Sequence, residues 1–289
     1  MVLPELEYIK PSSIEEACRI LAEKGPAARP MAGATDLIPP MKDHAIKPEP
    51  EVLVDLKGLK ELKYLTFDEN EGLKIGALTT LREIETSELV KEKNPAVAYA
   101  AKVVASTQIR YKGTLVGNIC NASPSMDSAP NLLAQDAVIE IQGVDGKRTV
   151  PASEFFKGVK KTCLESGEIV TGVTIPALKE NEKAAYIKHA VRKAMDLAII
   201  GVAVKLTMDG NVCRDAKIAL GAVATTPVRA PKAEDLLKGK EITDELLEEV
   251  AQAAMDSCSP ISDIRASKEY RKAMIGVFTK RAIRQALEA

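Results

Sequence analysis

Residues 106–130 read STQIRYKGTLVGNICNASPSMDSAP. The stretch is rich in small residues, hydroxyls and amides, and it holds too few branched apolar residues to be ordinary core. Gly117 and Asn118 stand where a backbone can come close to a ligand, and Thr114, Ser123, Ser125, Asp127 and Ser128 add short hydrogen-bonding groups. A second loop of small residues, Met31-Ala32-Gly33-Ala34-Thr35-Asp36, lies near the N-terminus. Two such loops in one chain point to a long, polar, phosphate-bearing ligand held by main-chain N–H groups. A carboxylate is repelled by phosphate, so Asp127 is more naturally aimed at a sugar hydroxyl; an N-cap before Ala129-Pro130 fits these residues equally well. Neither loop has the form G-x-G-x-x-G or G-x-x-x-x-G-K-[ST], so neither a dinucleotide-binding βαβ unit nor a P-loop is supported.

The surrounding chain alternates short elements. Ser13-Ile14-Glu15-Glu16 has the form of a capping box, and Ile14, Ala17, Cys18, Leu21 and Ala22 follow at helical spacing up to a stop at Gly25. Arg29–Gly33 is at most a short strand feeding the first loop, and Pro39-Pro40 prevents a long helix beyond it. The patterns predict strands over Val52–Leu56, Leu73–Ala77, Ala137–Gln142 and Ile169–Ile175. Helices are predicted over Thr79–Ser87 and Ala96–Ala105, with a helical turn at Pro130–Ala134. Without a regular βαβ rhythm, this part reads as α+β and not as a doubly wound fold. After Pro176 the pattern changes to three strands, Ala184–Ala190, Ala198–Met208 and Val212–Ala224, then two helices, Thr243–Cys258 and Ser267–Ala289. The expected organisation is a domain over 1–176, in two subdomains of about 1–57 and 58–176, and a C-terminal domain over 177–289. The latter should be a three-stranded antiparallel sheet packed with helices.

Composition limits the function. At 289 residues, with 46% hydrophobic and 28% charged residues, the chain can bury a sizeable core. Forty basic and 41 acidic residues nearly cancel, which leaves no global field to attract nucleic acid or an acidic membrane. Tryptophan is absent and aromatics reach only 3%, which disfavours base stacking. No apolar run is long enough to span a bilayer, and the opening MVLPELEYIKP lacks the pattern of a signal peptide, so a cytoplasmic location is expected. Cys18, Cys120, Cys163, Cys213 and Cys258 are far apart with no C-x-x-C, and the histidines are His44 and His189 alone. That argues against a disulfide framework, an iron–sulfur cluster or a metal site held by this chain.

The chain resembles the FAD-binding (medium) subunit of molybdenum hydroxylases, the xanthine dehydrogenase and carbon monoxide dehydrogenase family. Ala32-Gly33-Ala34-Thr35-Asp36-Leu37 is similar to the family's first flavin loop, A-G-G-[TH]-[DS]-L. Gln108-Ile109-Arg110 and Thr114-Leu115-Val116-Gly117-Asn118 are similar to its second, Q-[IV]-R…T-[IV]-G-G-N, and Ala122-Ser123-Pro124 through Asp127 and Pro130 to A-S-P-x-x-D-x-x-P. Phe156–Thr162, Gly167–Pro176, Leu220–Arg229 and Ser262–Arg281 continue the match.

The resemblance implies an FAD site within residues 1–176, with Met31–Leu37, Thr114, Leu115, Gly117 and Asn118 around the pyrophosphate and Ser123 and Asp127 at other polar parts of the cofactor. It also places Val170 and Lys188 at positions that contact FAD in relatives. Two departures stand out: Ala34 replaces the second Gly of the first loop, and Val116 the first Gly of G-G-N. A Val would be strongly disfavoured if that position required positive φ. By the same resemblance the chain is the flavin subunit of a multi-subunit oxidoreductase. A small partner with [2Fe–2S] clusters would deliver electrons, a large partner with molybdopterin would oxidise substrate, and the whole would be a dimer of heterotrimers. No residue of this chain is expected to be catalytic in the substrate chemistry, and no metal is expected on it. The alternatives are a free-standing FAD-dependent oxidoreductase and an assembly subunit whose flavin site has decayed.

Overall fold

A computed structural model describes residues 3–288; Met1, Val2 and Ala289, which end the predicted N-terminal segment and last helix, lie outside the described residues. Three parallel strands open the chain: β1 (Glu7–Ile9), β2 (Ala28–Met31) and β3 (Val52–Asp55), in the order β1-β3-β2. Helix α1 (Ile14–Lys24) joins β1 to β2, and the short α2 (Ile38–Lys42) lies between β2 and β3. Ser13 caps α1 by accepting from the Glu16 N–H at 3.1 Å, but Glu16 turns back to Ser12 instead of closing the expected box. β3 falls within the predicted Val52–Leu56 and β2 overlaps the short strand expected at Arg29–Gly33, but β1, three residues long and largely exposed, carries no pattern from which it or the parallel pairing could be read.

Strands β4 (Leu65–Asp68) and β5 (Gly72–Gly76) start a second sheet. Six short helices follow: α3 (Leu81–Thr86), α4 (Glu88–Lys93), α5 (Pro95–Lys102), α6 (Thr107–Arg110), α7 (Leu115–Asn121) and α8 (Ser128–Ala134). The chain then forms β6 (Val138–Gly143), β7 (Gly146–Pro151), the turn-length α9 (Ala152–Phe155) and a hairpin of β8 (Phe156–Gly158) and β9 (Lys161–Thr162). Strand β10 (Ile169–Ile175) completes an antiparallel sheet ordered β4-β5-β10-β6-β7. Its inner face, with Leu73, Ile75, Ile139, Ile141 and Val173, is buried beneath the helices. At about 25 cal/mol per Å² such faces supply most of the driving force for this half of the fold.

The C-terminal sheet contains β11 (Glu182–His189), β12 (Ile200–Asp209) and β13 (Val212–Gly221), all antiparallel. It has five strands rather than the three expected, because β14 (Val228–Arg229) and β15 (Lys240–Glu241) also pair with β13. Two residues each, they carry no periodicity that a sequence pattern can register. Helices α10 (Pro231–Leu237), α11 (Asp244–Asp256) and α12 (Lys268–Glu288) cover one face around Ile200, Val202, Ile218, Leu247 and Ile283. The other face gives Tyr186, Ala203 and Ala219 to the core shared with α5 and α8. Gly221 lies against α8, where a Cβ would be 2.8 Å from the Pro130 ring. That contact sets the C-terminal sheet directly behind the 106–130 segment.

Candidate functional site

The first loop leaves β2 at Met31, which is buried beside Met41 and Leu53 and pairs with Asp55 of β3. From Ala32 to Asp36 the chain bends at the carboxyl end of this small parallel sheet. Ala34 takes φ +59, the left-handed conformation, and its carbonyl accepts both Leu37 N–H (3.1 Å) and Ile38 N–H (3.0 Å). Among the described residues the five amides of Ala32–Asp36 find no backbone acceptor. A run of free N–H groups around one left-handed residue is the geometry of an anion-binding nest. Ala34 therefore adopts a conformation for which Gly is the easier choice, at a cost of about 1–2 kcal/mol.

The second loop meets the first at Lys112-Gly113. A Cβ on Gly33 would lie 1.9 Å from the Lys112 carbonyl oxygen and 2.9 Å from the Gly113 Cα, so position 33 admits only glycine without displacing backbone. From the other side, a Cβ on Gly113 would stand 3.2 Å from Thr35 Oγ1. Thr114 bridges to Thr80 and caps α7, its Oγ1 accepting the Gly117 N–H at 2.9 Å. The N–H of Gly117 is thus used within the helix, whereas those of Leu115 and Val116 have no backbone acceptor among the described residues. Ser128 donates to Asn118 Oδ1, tying the start of α8 to α7.

The segment expected to be an open loop contains this helix. Val116 is a buried helical residue with ordinary φ, so the concern over a branched side chain at positive φ does not arise there. Positive φ falls instead on Ala122 (φ +46), which ends α7. Arg110 braces the approach: buried, it ion-pairs with Glu85 at 2.9 Å and donates to Val104 O at 2.9 Å.

Asp127, Tyr186 and Lys188 form one buried cluster. Asp127 does not cap α8; its Oδ2 accepts from Lys188 Nζ at 2.8 Å and its Oδ1 from Tyr186 Oη at 3.0 Å. The other two hydrogens of the Lys188 ammonium go to Val103 O (2.9 Å) and Asp196 O (2.8 Å). Lys188 is therefore a buried tie between β11, the end of α5 and the segment before α8, not a solvated strand residue. Burial pushes the Asp127 carboxyl up, opposed by the Lys188 charge and the hydrogen bonds from Lys188 and Tyr186. Burial likewise raises the Tyr186 phenol well above its usual value, so it stays a donor. Val170 is buried on β10 beside the bulge at Thr171, on the strand against which α7 packs. Ser123 is half-buried and its carbonyl accepts the Met126 N–H at 3.1 Å in the turn between the helices.

The structure thus brings Met31–Leu37 against the Lys112–Leu115 turn, and sets Asp127, Val170 and Lys188 in packed elements around α7 and α8. Lys112, whose carbonyl meets Gly33, was missed by sequence reasoning, because a contact between distant segments leaves no local signal. Two clefts of about 520 and 550 Å³ lie elsewhere, one lined by Ile14, Tyr64, Glu140 and Arg148 and the other by Ser12, Glu16 and Arg19. Neither contains a residue of the two loops. Among the described residues there is no group of three His, Cys, Asp or Glu placed to hold a metal, and no helix long and apolar enough to cross a membrane.

Residues 4–178 match the FAD binding domain in molybdopterin dehydrogenase, and residues 185–286 match the CO dehydrogenase flavoprotein C-terminal domain. The chain is 35% identical over 285 residues to the glyceraldehyde dehydrogenase medium chain of Sulfolobus acidocaldarius, covering 99% of both. It is 34% identical to the xanthine dehydrogenase FAD-binding subunit of Escherichia coli O157:H7, over 98% of this chain and 96% of the relative. Its backbone superposes on carbon monoxide dehydrogenase from Hydrogenophaga pseudoflava with a TM-score of 0.95 and 35% identity, over 100% of this chain and 99% of the other. With both domain types matched and full-length relatives above 30% identity, this chain belongs to the FAD-binding medium subunits of the molybdenum hydroxylases and is an FAD-dependent oxidoreductase subunit.

Proposed function

We propose that this chain holds FAD between the two loops, takes electrons from the [2Fe–2S] clusters of a small partner subunit, and passes them to an external acceptor. The observation that carries the reading is the run of acceptor-free amides at Ala32–Asp36, pressed against the Lys112–Gly113 turn through Gly33. Such donors suit a diphosphate, since hydrogen bonds to charged oxygens contribute about 1.5–3 kcal/mol each. Met31 and Leu37 would anchor the ends of the first loop. Thr114, Leu115, Gly117 and Asn118 would line the second, with Ser123 at its far end. Asp127, Val170 and Lys188 would form the floor, Lys188 fixing the carbonyls of Val103 and Asp196 in place. When bound, FAD supplies the redox chemistry; the chain's own residues bind it, orient it and exclude water.

In this reading the cofactor domain spans 1–176, with subdomains of about 1–57 and 58–176, and 177–289 forms the C-terminal domain. A large molybdopterin subunit would oxidise the substrate, in a cytoplasmic dimer of heterotrimers. The two departures from the family pattern do not favour a decayed site, because Ala34 reaches the left-handed conformation and Val116 is helical.

The test is to purify the chain, record its visible spectrum and identify the released flavin by chromatography. Stoichiometric FAD, with recovery of the flavin bands on reconstitution after stripping, is the expected result. No binding even on reconstitution would leave a non-catalytic assembly subunit. Co-expression with an iron–sulfur and a molybdopterin subunit should give one complex; substrate turnover by this chain alone would indicate a free-standing flavoenzyme.

A further inference from the structure

We propose that Thr80, the N-cap of α3, is a positioning residue of the flavin site: its capping box fixes the Lys112–Thr114 turn against which the first loop closes. This role rests on the flavin reading above, and Thr80 lies outside both loops and their motifs. Leaving β5, the chain turns back at Gly76, whose carbonyl accepts the Thr79 N–H at 3.0 Å. The buried Thr79 hydroxyl donates to the Tyr64 carbonyl at 2.6 Å, which fastens the residue before the cap to the chain entering β4. Thr80 Oγ1 then accepts the Glu83 N–H at 3.2 Å, and the Glu83 carboxylate accepts the Thr80 N–H at 2.9 Å. Lys63 pairs with the other Glu83 oxygen at 2.9 Å. A box closed from both sides sets the direction in which the first turn of the helix starts.

That direction decides where the first N–H of α3 points. The Leu81 N–H has no acceptor inside the helix, and it donates to the Gly113 carbonyl at 2.9 Å, beside the bridge between Thr80 and Thr114. The Gly113 N–H donates to the Ile109 carbonyl at 2.7 Å. Because that N–H shares a peptide plane with the Lys112 carbonyl, the planes on both sides of the Gly113 Cα are held. These are the atoms that meet the first loop: a Cβ on Gly33 would be 1.9 Å from the Lys112 oxygen and 2.9 Å from the Gly113 Cα. Glycine is where a backbone yields most easily, so the turn keeps its shape only while both bonds are made. Without the Thr80 cap the first turn of α3 loosens, the Leu81 donor is no longer aimed, and the surface behind Gly33 gives way.

The test titrates the flavin-stripped full chain with FAD and with riboflavin, followed by fluorescence. For Thr80→Ala, FAD should bind about tenfold more weakly, as for one lost hydrogen bond to a charged oxygen. Riboflavin, which has no phosphate, should bind as it does to the wild type. Thr80→Ser keeps the capping hydroxyl and should restore FAD affinity. Ser87→Ala is the control: Ser87 caps α4 by accepting the Val90 N–H at 3.3 Å, so its loss costs a cap of the same kind. FAD affinity should be unchanged in that variant. Equal FAD affinity in wild type and Thr80→Ala would overturn the assignment, as would no recovery with Thr80→Ser. So would equal losses for FAD and riboflavin, or equal losses of FAD in Thr80→Ala and Ser87→Ala, either of which would mark an effect of stability alone. Failure of the wild-type chain to bind FAD would end the flavin reading as well, so the two failures are distinguishable.

Discussion

The amides of Ala32–Asp36 and the ammonium of Lys188 are both strong donors, placed in opposite circumstances. The amides lie on a half-exposed bend and find no backbone acceptor among the described residues. The ammonium is buried, and its three hydrogens reach Val103 O, Asp127 Oδ2 and Asp196 O. The comparison teaches where to look for a ligand. A donor left free at the surface costs little in water and is available for binding, whereas a buried one must be matched or the fold suffers. The first loop leaves its donors available, and the Lys188 cluster holds the elements behind it.

The largest effect should come from breaking the buried side. Lys188→Met leaves Asp127 without its cation, and the fold should lose roughly 3–5 kcal/mol, read by denaturant unfolding. Adding Asp127→Asn should recover part of that loss, since a neutral amide needs no counter-ion; a double variant as unstable as the single would show that the pair is not coupled. The sign of the pH dependence follows from the direction of the Asp127 shift. A carboxyl whose folded pKa lies above its unfolded value contributes stability that is fully present below the unfolded pKa and is lost as pH rises through the folded one. Removing the opposing Lys188 charge should move that loss to higher pH, which thermal unfolding from acid to neutral pH would follow.

Gly33→Ala comes next and acts on the other side. A Cβ 1.9 Å from a backbone carbonyl cannot be accommodated by a side-chain shift, so the two loops must separate. We expect a stability loss of about 1–3 kcal/mol together with loss of FAD on gel filtration. Retention of FAD by this variant would break the link between loop contact and binding. Thr114→Ala removes the α7 cap and should cost about 1 kcal/mol in unfolding, with a smaller drop in flavin affinity than Gly33→Ala gives. The smallest change sharpens the comparison from the stabilising side. Ala34→Gly relieves the left-handed strain but adds freedom to the unfolded chain, so its net effect on the unfolding free energy should be within about 1 kcal/mol, read by denaturant unfolding.

Legibility in the sequence followed element length. β10 was predicted over its observed range, and β11, β12, β13, α11 and α12 within a few residues, because each carries enough turns or alternations for a period to show. Strand β1 with its parallel pairing to β3, the two-residue strands on β13 and helix α7 were not read. The first two are too short for a pattern. In α7, Gly117 and Asn118 look like loop residues, yet Leu115, Val116 and Ile119 turn inward and burial decides the conformation. The family and both loops could be recognised from small-residue motifs, which stand in order along the chain. The contact of Gly33 with Lys112 could not, because it joins segments about 80 residues apart along the chain.

The sequence by itself determined which residues could leave amides free, where the long strands and helices run, and the family to which the chain belongs. Tertiary structure alone decided that Gly33 presses on Lys112 and that Asp127 and Lys188 neutralise one another out of water. The reason is physical: local preference and periodicity act between neighbours in the chain, while steric exclusion and buried charge act between neighbours in space.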